Sequence, residues 1–390
     1  MTINLKSGLT AGLMLLFMSF SLHAEWVEKR SFTTQDFELF NGQTLAEVKV
    51  GWQAYGELNE ARDNVILITH FFSGNSHVAG QYEADGAIGY WDAIVGPGKA
   101  IDTDRFYVIS VDTLVNQEPH NPKVITTGPA TINPETNAPY GLDFPVVTIR
   151  DFVNVQKALL DELGIENLHA VIGASMGSLQ AIDWAAAYPE KVERMVSVIG
   201  MAQADPWTVL NLQQWAEPIL ADPNWNKGDY YDAETPLNGL QQALMQISLQ
   251  AMHPDIINAT FPDHETLAEG PLHNIQSYHS EVNWLRERAA ERALYADANH
   301  VLYLVRANQL FIAGMQEDLR SGLEPIQARS LFMPATNDLL LRPAMARKAH
   351  ELLQELGKES QYLEIEGSWG HLDGIMSIES RAQELKEFLQ

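Results

Sequence analysis

Residues 173–177 read Gly-Ala-Ser-Met-Gly, and this pentapeptide limits the fold more than any other stretch. It follows the apolar run Leu168-His169-Ala170-Val171-Ile172, which reads as a buried strand. It precedes Ser178-Leu179-Gln180-Ala181-Ile182-Asp183-Trp184-Ala185, which reads as a helix. Strand, sharp turn at a serine and helix make a nucleophile elbow. The two glycines stand where the chain closes so tightly that side chains would collide. The serine is then exposed above the strand ends, beneath a helix N-terminus that favours developing negative charge.

The flanking pattern predicts the rest of an α/β architecture. Glu38 to Gly56 reads as two strands around Asn41-Gly42, a hairpin signal. The apolar runs from Asn64 to His70 and from Phe106 to Asp112 suit strands covered on both faces. Thr148 to Gly164 has helical period and ends at a glycine. Further strands are predicted over Glu193–Gly200, Ala328–Ala335 and Gln361–Glu366, with helices over Pro343–Leu356 and near Ser377–Leu389. Strands alternating with helices imply a mostly parallel sheet with helices on both faces. Ala202 to Gln327 breaks this rhythm: it is rich in Trp, Gln and Asn and has no convincing strand. It is expected to be a helical cap inserted after the sixth strand, covering the carboxyl ends where ligands bind in such sheets. A separate helical domain is the alternative.

The expected organisation is a signal peptide at 1–24, a core from 25–201 and 328–390, and a cap from 202–327. Met1 to Ala24 holds one cation, Lys6, no acid, and an apolar run from Leu9 to Leu22. That pattern predicts export and cleavage near Ala24, to a periplasmic or extracellular location. An uncleaved anchor is the alternative, but Gly12, Ser19 and Ser21 interrupt the run, which is short for a membrane span. No stable membrane insertion is therefore expected after cleavage. The chain has no cysteine, which excludes disulfides, thiolate metal sites, a cysteine nucleophile and lipid attachment at the cut site. A net charge of −26 argues against nucleic acid and anionic membranes as partners.

A serine hydroxyl needs a base, usually a histidine oriented by a carboxylate. In this architecture the chain order is Ser, acid, His. Asp338 follows the strand ending at Ala335, and His371 follows the last strand, so these two complete a triad with Ser175 by order and placement. The alternatives are a helix N-cap for Asp338 and a surface loop for His371. Backbone N–H donors for an oxyanion are expected from Met176 and from the loop His70-Phe71-Phe72-Ser73-Gly74. His70 is expected to position backbone, since no second ligand lies at metal spacing. His253, His264, His273 and His279 in the cap are scattered along the sequence, and neither metal nor cofactor is expected.

Several longer stretches carry a family resemblance. They are Gly74–Gly80, Trp91–Arg105, Thr127-Gly128-Pro129, Ile132–Thr136 and Tyr140–Asp151. With the elbow, they make the chain similar to the homoserine O-acyltransferase branch of the α/β-hydrolase superfamily. The resemblance implies Ser175 as nucleophile, Asp338 as acid, His371 as base, and Phe72 and Met176 as oxyanion donors. It also implies acyl transfer from coenzyme A to homoserine through an acyl-serine, and dimers joined by the cap. The chain departs from that pattern after the histidine. The family places an aspartate there for the homoserine amine, whereas this chain has Leu372, then Asp373. The loop Thr113–Ile125 also differs, and none of Arg286, Arg288, Arg292 and Arg306 sits in a motif that would hold the homoserine carboxylate. The expected activity is therefore that of an exported esterase acting on short acyl esters. A true homoserine O-acyltransferase and a binding protein with a relic triad are the alternatives.

Overall fold

A computed structural model describes residues 26–83 and 86–390. The segment read as an export signal lies outside the described residues. Eight strands form the main sheet: β1 (Arg30–Glu38), β2 (Thr44–Tyr55), β3 (Val65–Thr69), β4 (Tyr107–Val111), β5 (Ala170–Ala174), β6 (Arg194–Val198), β7 (Arg329–Met333) and β8 (Ser360–Tyr362). Their spatial order is β1-β2-β4-β3-β5-β6-β7-β8. The β1–β2 and β2–β4 pairs are antiparallel and the others parallel.

The apolar runs alternate between two cores. Ile66, Ile68, Ala170, Ile172, Val196 and Val198 face one side; Val65, Leu67, Val171 and Met195 face the other. Helices, α1 (Ile149–Glu162) and α2 (Met176–Ala187) among them, cover both faces, which is why these strands are apolar at most positions. Three sequence expectations shift. The hairpin turn falls at Asn41-Gly42, but its first strand runs upstream, over Arg30–Glu38. Most of β1 is exposed, so its polar residues conceal the strand pattern. The last strand shrinks to Ser360–Tyr362, continued by an isolated bridge between Ala335 and Ile365. The final helix is broken: a 3-10 turn spans Ile378–Arg381, Arg381 leaves helical geometry, and α-helix resumes at Ala382.

Between β6 and β7 the chain is helical. It forms α3 (Pro206–Ala221), α4 (Leu237–Ala251), α5 (Pro254–Thr260), α6 (Glu269–His273), α7 (Ser280–Ala293), α8 (Ala298–Gln309) and α9 (Leu319–Leu323). Its two ends are pinned together, Ala204 N–H donating to Phe311 O at 2.9 Å and Ala313 N–H to Ala202 O at 2.8 Å. Among the described residues no helix is long and apolar enough to cross a membrane.

Candidate active site

The parallel strands all deliver their carboxyl ends to one edge, and the site is assembled there. β5 ends at Ala174, and Ser175 turns the chain into the helix α2 (Met176–Ala187) with φ 55° and ψ −121°. Such a conformation costs a non-glycine residue roughly 1–3 kcal/mol and persists only where its surroundings impose it. Here the surroundings are backbone. A Cβ on Gly173 would lie 2.1 Å from Gly177 O, and a Cβ on Gly177 would lie 2.0 Å from Thr69 O. Neither neighbour can yield without moving the first turn of α2 or the end of β3.

Ser175 Oγ lies 2.8 Å from His371 Nε2, and His371 Nδ1 lies 2.7 Å from Asp338 Oδ2. All three residues are buried, Ser175 against the expectation that it stands exposed above the strand ends. The other Asp338 oxygen accepts from the N–H groups of Leu340 and Leu341, at 2.8 and 2.9 Å. Asp338 therefore caps its own turn, as the N-cap alternative supposed, and is fixed by that turn against the imidazole. His371 is not a surface histidine.

Met176 is the first residue of α2, where a backbone N–H has no partner within the helix. Phe72 lies in the loop after β3, and His70 shapes that loop. The His70 ring is fully buried; Nδ1 lies 2.8 Å from Phe71 O, and Thr113 N–H donates to Nε2 at 3.1 Å. Because Nε2 accepts, Nδ1 must carry the proton and donate. Burial pushes the His70 pKa down, in keeping with this neutral tautomer. The Phe71 carbonyl is thereby drawn toward the imidazole. In a trans peptide the next N–H, that of Phe72, points the opposite way. Asn116 Nδ2 braces the same loop by donating to Gly74 O at 2.9 Å, and His300 of α8 holds Asn116 through its carbonyl, with Nδ1 to O at 2.7 Å.

The helical insertion touches each of these loops. Trp215 of α3 packs edge-on against Phe72, with ring centroids 5.2 Å apart. His253, which precedes α5, donates its N–H to Trp369 O at 3.1 Å. A cavity of about 420 Å³ opens between Trp207, Leu249, Met252, Pro254 and Ile257 on one side and Leu339 and Leu340 on the other. Its walls adjoin the Asp338 turn but do not include Ser175. Of the other tryptophans, Trp225 donates to Asn299 and Trp284 packs on Phe261, and neither contact involves a triad residue.

Asp373, one residue beyond the expected amine-binding position, is fully buried. Its Oδ2 accepts from the N–H groups of Trp369 and Gly370 at 3.2 and 3.0 Å, and its Oδ1 from Ser377 Oγ at 2.6 Å. This carboxylate fixes the loop that carries His371. The candidate arginines also separate: Arg286 and Arg288 stack on Tyr278 and Trp284, Arg306 reaches Gln309, and Arg292 donates to Ser248 Oγ at 2.7 Å. The cap histidines were expected to be scattered, yet His264 and His279 lie together with Glu281, brought close by the return of the chain into α7.

The chain matches the family described as alpha/beta hydrolase fold over residues 98–375. Homoserine O-acetyltransferase from Methanococcoides burtonii is 36% identical over 337 residues, 86% of this chain and 68% of the relative. That from Deferribacter desulfuricans is 34% identical over 356 residues, 91% of this chain and 93% of the relative. The solved structure of homoserine O-acetyltransferase from Bacillus anthracis is 37% identical with a TM-score of 0.90, covering 94% of this chain and 98% of that one. The structure of esterase E22 is 56% identical with a TM-score of 0.92, covering 93% of this chain and 100% of that one. With its eight-stranded sheet and serine elbow, the chain belongs to the α/β-hydrolase superfamily, in the branch of enzymes related to homoserine O-acetyltransferase.

Proposed function

We propose that this chain is a serine esterase that cleaves short acyl esters through an acyl-enzyme on Ser175. His371 Nε2 takes the Ser175 proton as Oγ attacks the ester carbonyl, and Asp338 stabilises the imidazolium that forms. The N–H groups of Phe72 and Met176 hold the oxyanion. The intermediate collapses as His371 returns the proton to the leaving alcohol. Water, activated by the same imidazole, then releases the acid and regenerates Ser175.

One observation carries the choice of water as acceptor: the position after His371 is Leu372, and the neighbouring Asp373 carboxylate is buried and already bound by two backbone N–H groups and Ser377. Homoserine must compete with water at about 55 M, so its amine and carboxylate need fixed partners to raise its effective concentration. A leucine offers the amine nothing. The likeness to esterase E22 supports the same reading. The first 24 residues, read as an export segment, would place the enzyme where coenzyme A thioesters are not expected.

A second reading, homoserine O-acyltransfer from a coenzyme A thioester, is favoured by the curated relatives, which are named homoserine O-acetyltransferase. Their names support it more directly than they support an esterase. The two readings separate in one assay on the purified chain: p-nitrophenyl acetate turnover with and without homoserine. The esterase hydrolyses the ester at a rate indifferent to homoserine, and Ser175→Ala abolishes turnover. Acceleration by homoserine would favour the transferase. No turnover by folded native protein would favour a relic triad.

A further inference from the structure

We propose that the cap carries a site for a divalent transition metal of the zinc class, formed by His264, His279 and Glu281. One ligand atom from each of the three lies within 4.8 Å of both others. His264 Nδ1 already faces the Glu281 carboxylate, and the His264 and His279 rings are 5.5 Å apart, inclined by 41°. The three residues border a cavity of about 540 Å³ together with Ile257, Asn258, Phe261, Pro262 and Val282. No member of the Ser175 triad lines it.

Two imidazoles and a carboxylate, with one position left open, are a zinc donor set. Hard cations such as magnesium and calcium prefer all-oxygen surroundings, so they do not suit this site. In a tetrahedral site the donors stand roughly 3.4 Å apart, as follows from bonds of about 2.0–2.2 Å to the metal. The widest pair must therefore close by less than the reach of a side-chain rotation. All three residues are at least partly exposed, so that rotation is unobstructed by a packed core.

The placement gives the ion a structural role. Between His264 and His279 the chain makes an excursion that buries little: Leu267 is 77% exposed, Leu272 54% and Ile275 96%. Apolar burial therefore contributes little toward ordering it. The ligands lie at the two ends of this excursion, and a metal joining them would close it as a clip closes a loop. The site also shares Ile257 and Asn258 of α5 with the cavity walled by Leu339 and Leu340. A metal held there would fix the α5 wall that faces the turn of Asp338.

The test uses the full chain after chelation and dialysis. Zn²⁺ titration by calorimetry should show saturable binding of one ion per chain, and Co²⁺ should give the visible absorption of a low-symmetry four-coordinate site. His264→Ala and His279→Ala should each weaken binding at least about tenfold, since even outer-shell changes commonly cost that much. Zn²⁺ should slow proteolysis within residues 265–278 of the native chain and leave cleavage of the His264→Ala/His279→Ala chain unchanged. Circular dichroism checks that these surface variants are folded. Absence of saturable Zn²⁺ and Co²⁺ binding to the native chain, or equal affinity in the double variant, would overturn the proposal. The readout does not depend on the esterase reading.

Discussion

Replacing His70 tests whether the oxyanion loop is set by a neutral imidazole. In His70→Leu one of the two donors to Phe71 O is lost, leaving Gly74 N–H at 2.9 Å, and the acceptor for Thr113 N–H disappears. A buried N–H left without a partner costs about 1–3 kcal/mol. That is less than the 5–15 kcal/mol by which a domain is typically stable, so the variant should fold. The larger effect is on rate. With the Phe71 carbonyl held by Gly74 N–H alone, the Phe71–Phe72 peptide is less firmly fixed, and the Phe72 N–H, proposed as one of two oxyanion donors, is misaligned for part of the time. Losing such a donor outright costs about 10²–10³ in kcat. Acting at one remove, His70→Leu should lower kcat by about 10², with KM little changed, because the interaction strengthens only as charge develops on the substrate oxygen. His70→Asn keeps an N–H donor at the position of Nδ1 and should recover most of the loss. Steady-state kinetics on p-nitrophenyl acetate, with thermal melts as a fold control, read both effects. A folded His70→Leu enzyme within about threefold of native kcat, against the 10² expected from a disturbed donor, would refute the argument.

Other consequences follow from the same geometry. Asp338→Asn keeps an oxygen for the N–H groups of Leu340 and Leu341, so it should fold, yet lose about 10⁴ in kcat by favouring the wrong imidazole tautomer; a native rate in the ester assay would remove Asp338 from the mechanism. Leu372→Asp should raise transfer to homoserine, read as O-acetyl-homoserine by mass spectrometry, while the core stays folded; no gain would show that this position does not select the acceptor. His70 and His300 are both fully buried, and burial holds both pKa values below the ordinary 6.5. The unfolded chain therefore binds protons that the folded chain does not, and stability is full above 6.5 and falls as pH drops below it. His120, raised by the Asp297 carboxylate 3.8 Å from its Nε2, acts in the opposite sense, but it is half exposed and solvent screens it. Melting temperatures taken across this range should fall on acidification, and fall less in His300→Gln; a flat profile in the native protein would contradict the neutral-histidine network.

The fold was legible wherever a local pattern had one physical cause. Strands covered on both faces announced themselves as apolar runs, and Gly173 and Gly177 marked a turn where backbone meets backbone. Strand β1 was hidden because an exposed edge strand tolerates polar residues at most positions. The convergence of Ser175, His371 and Asp338 could be read from chain order, since each lies past a strand end. What the sequence could not display were the side-chain pairings that loops make, whether within one loop or between distant ones. The shift from Leu372 to Asp373 showed that this carboxylate is not where the family's amine contact stands, but only its hydrogen bonds to Trp369, Gly370 and Ser377 reveal a positioning role. His264 and His279 seemed unrelated because the excursion that joins them has no pattern of its own. The support of His70 by Thr113, and of Asn116 by His300, likewise depends on loops whose approach is set by the whole sheet.

The central claim is that Ser175 carries the acyl group and that water removes it. The most direct measurement is mass spectrometry of intact protein and small-molecule products during turnover of an acetyl ester in the presence of homoserine, repeated with acetyl-coenzyme A as donor. The account predicts a transient acetyl adduct on the peptide that contains Ser175, acetate as the product, and no adduct in Ser175→Ala. O-acetyl-homoserine as the main product from either donor, or an adduct on any other residue, would contradict it.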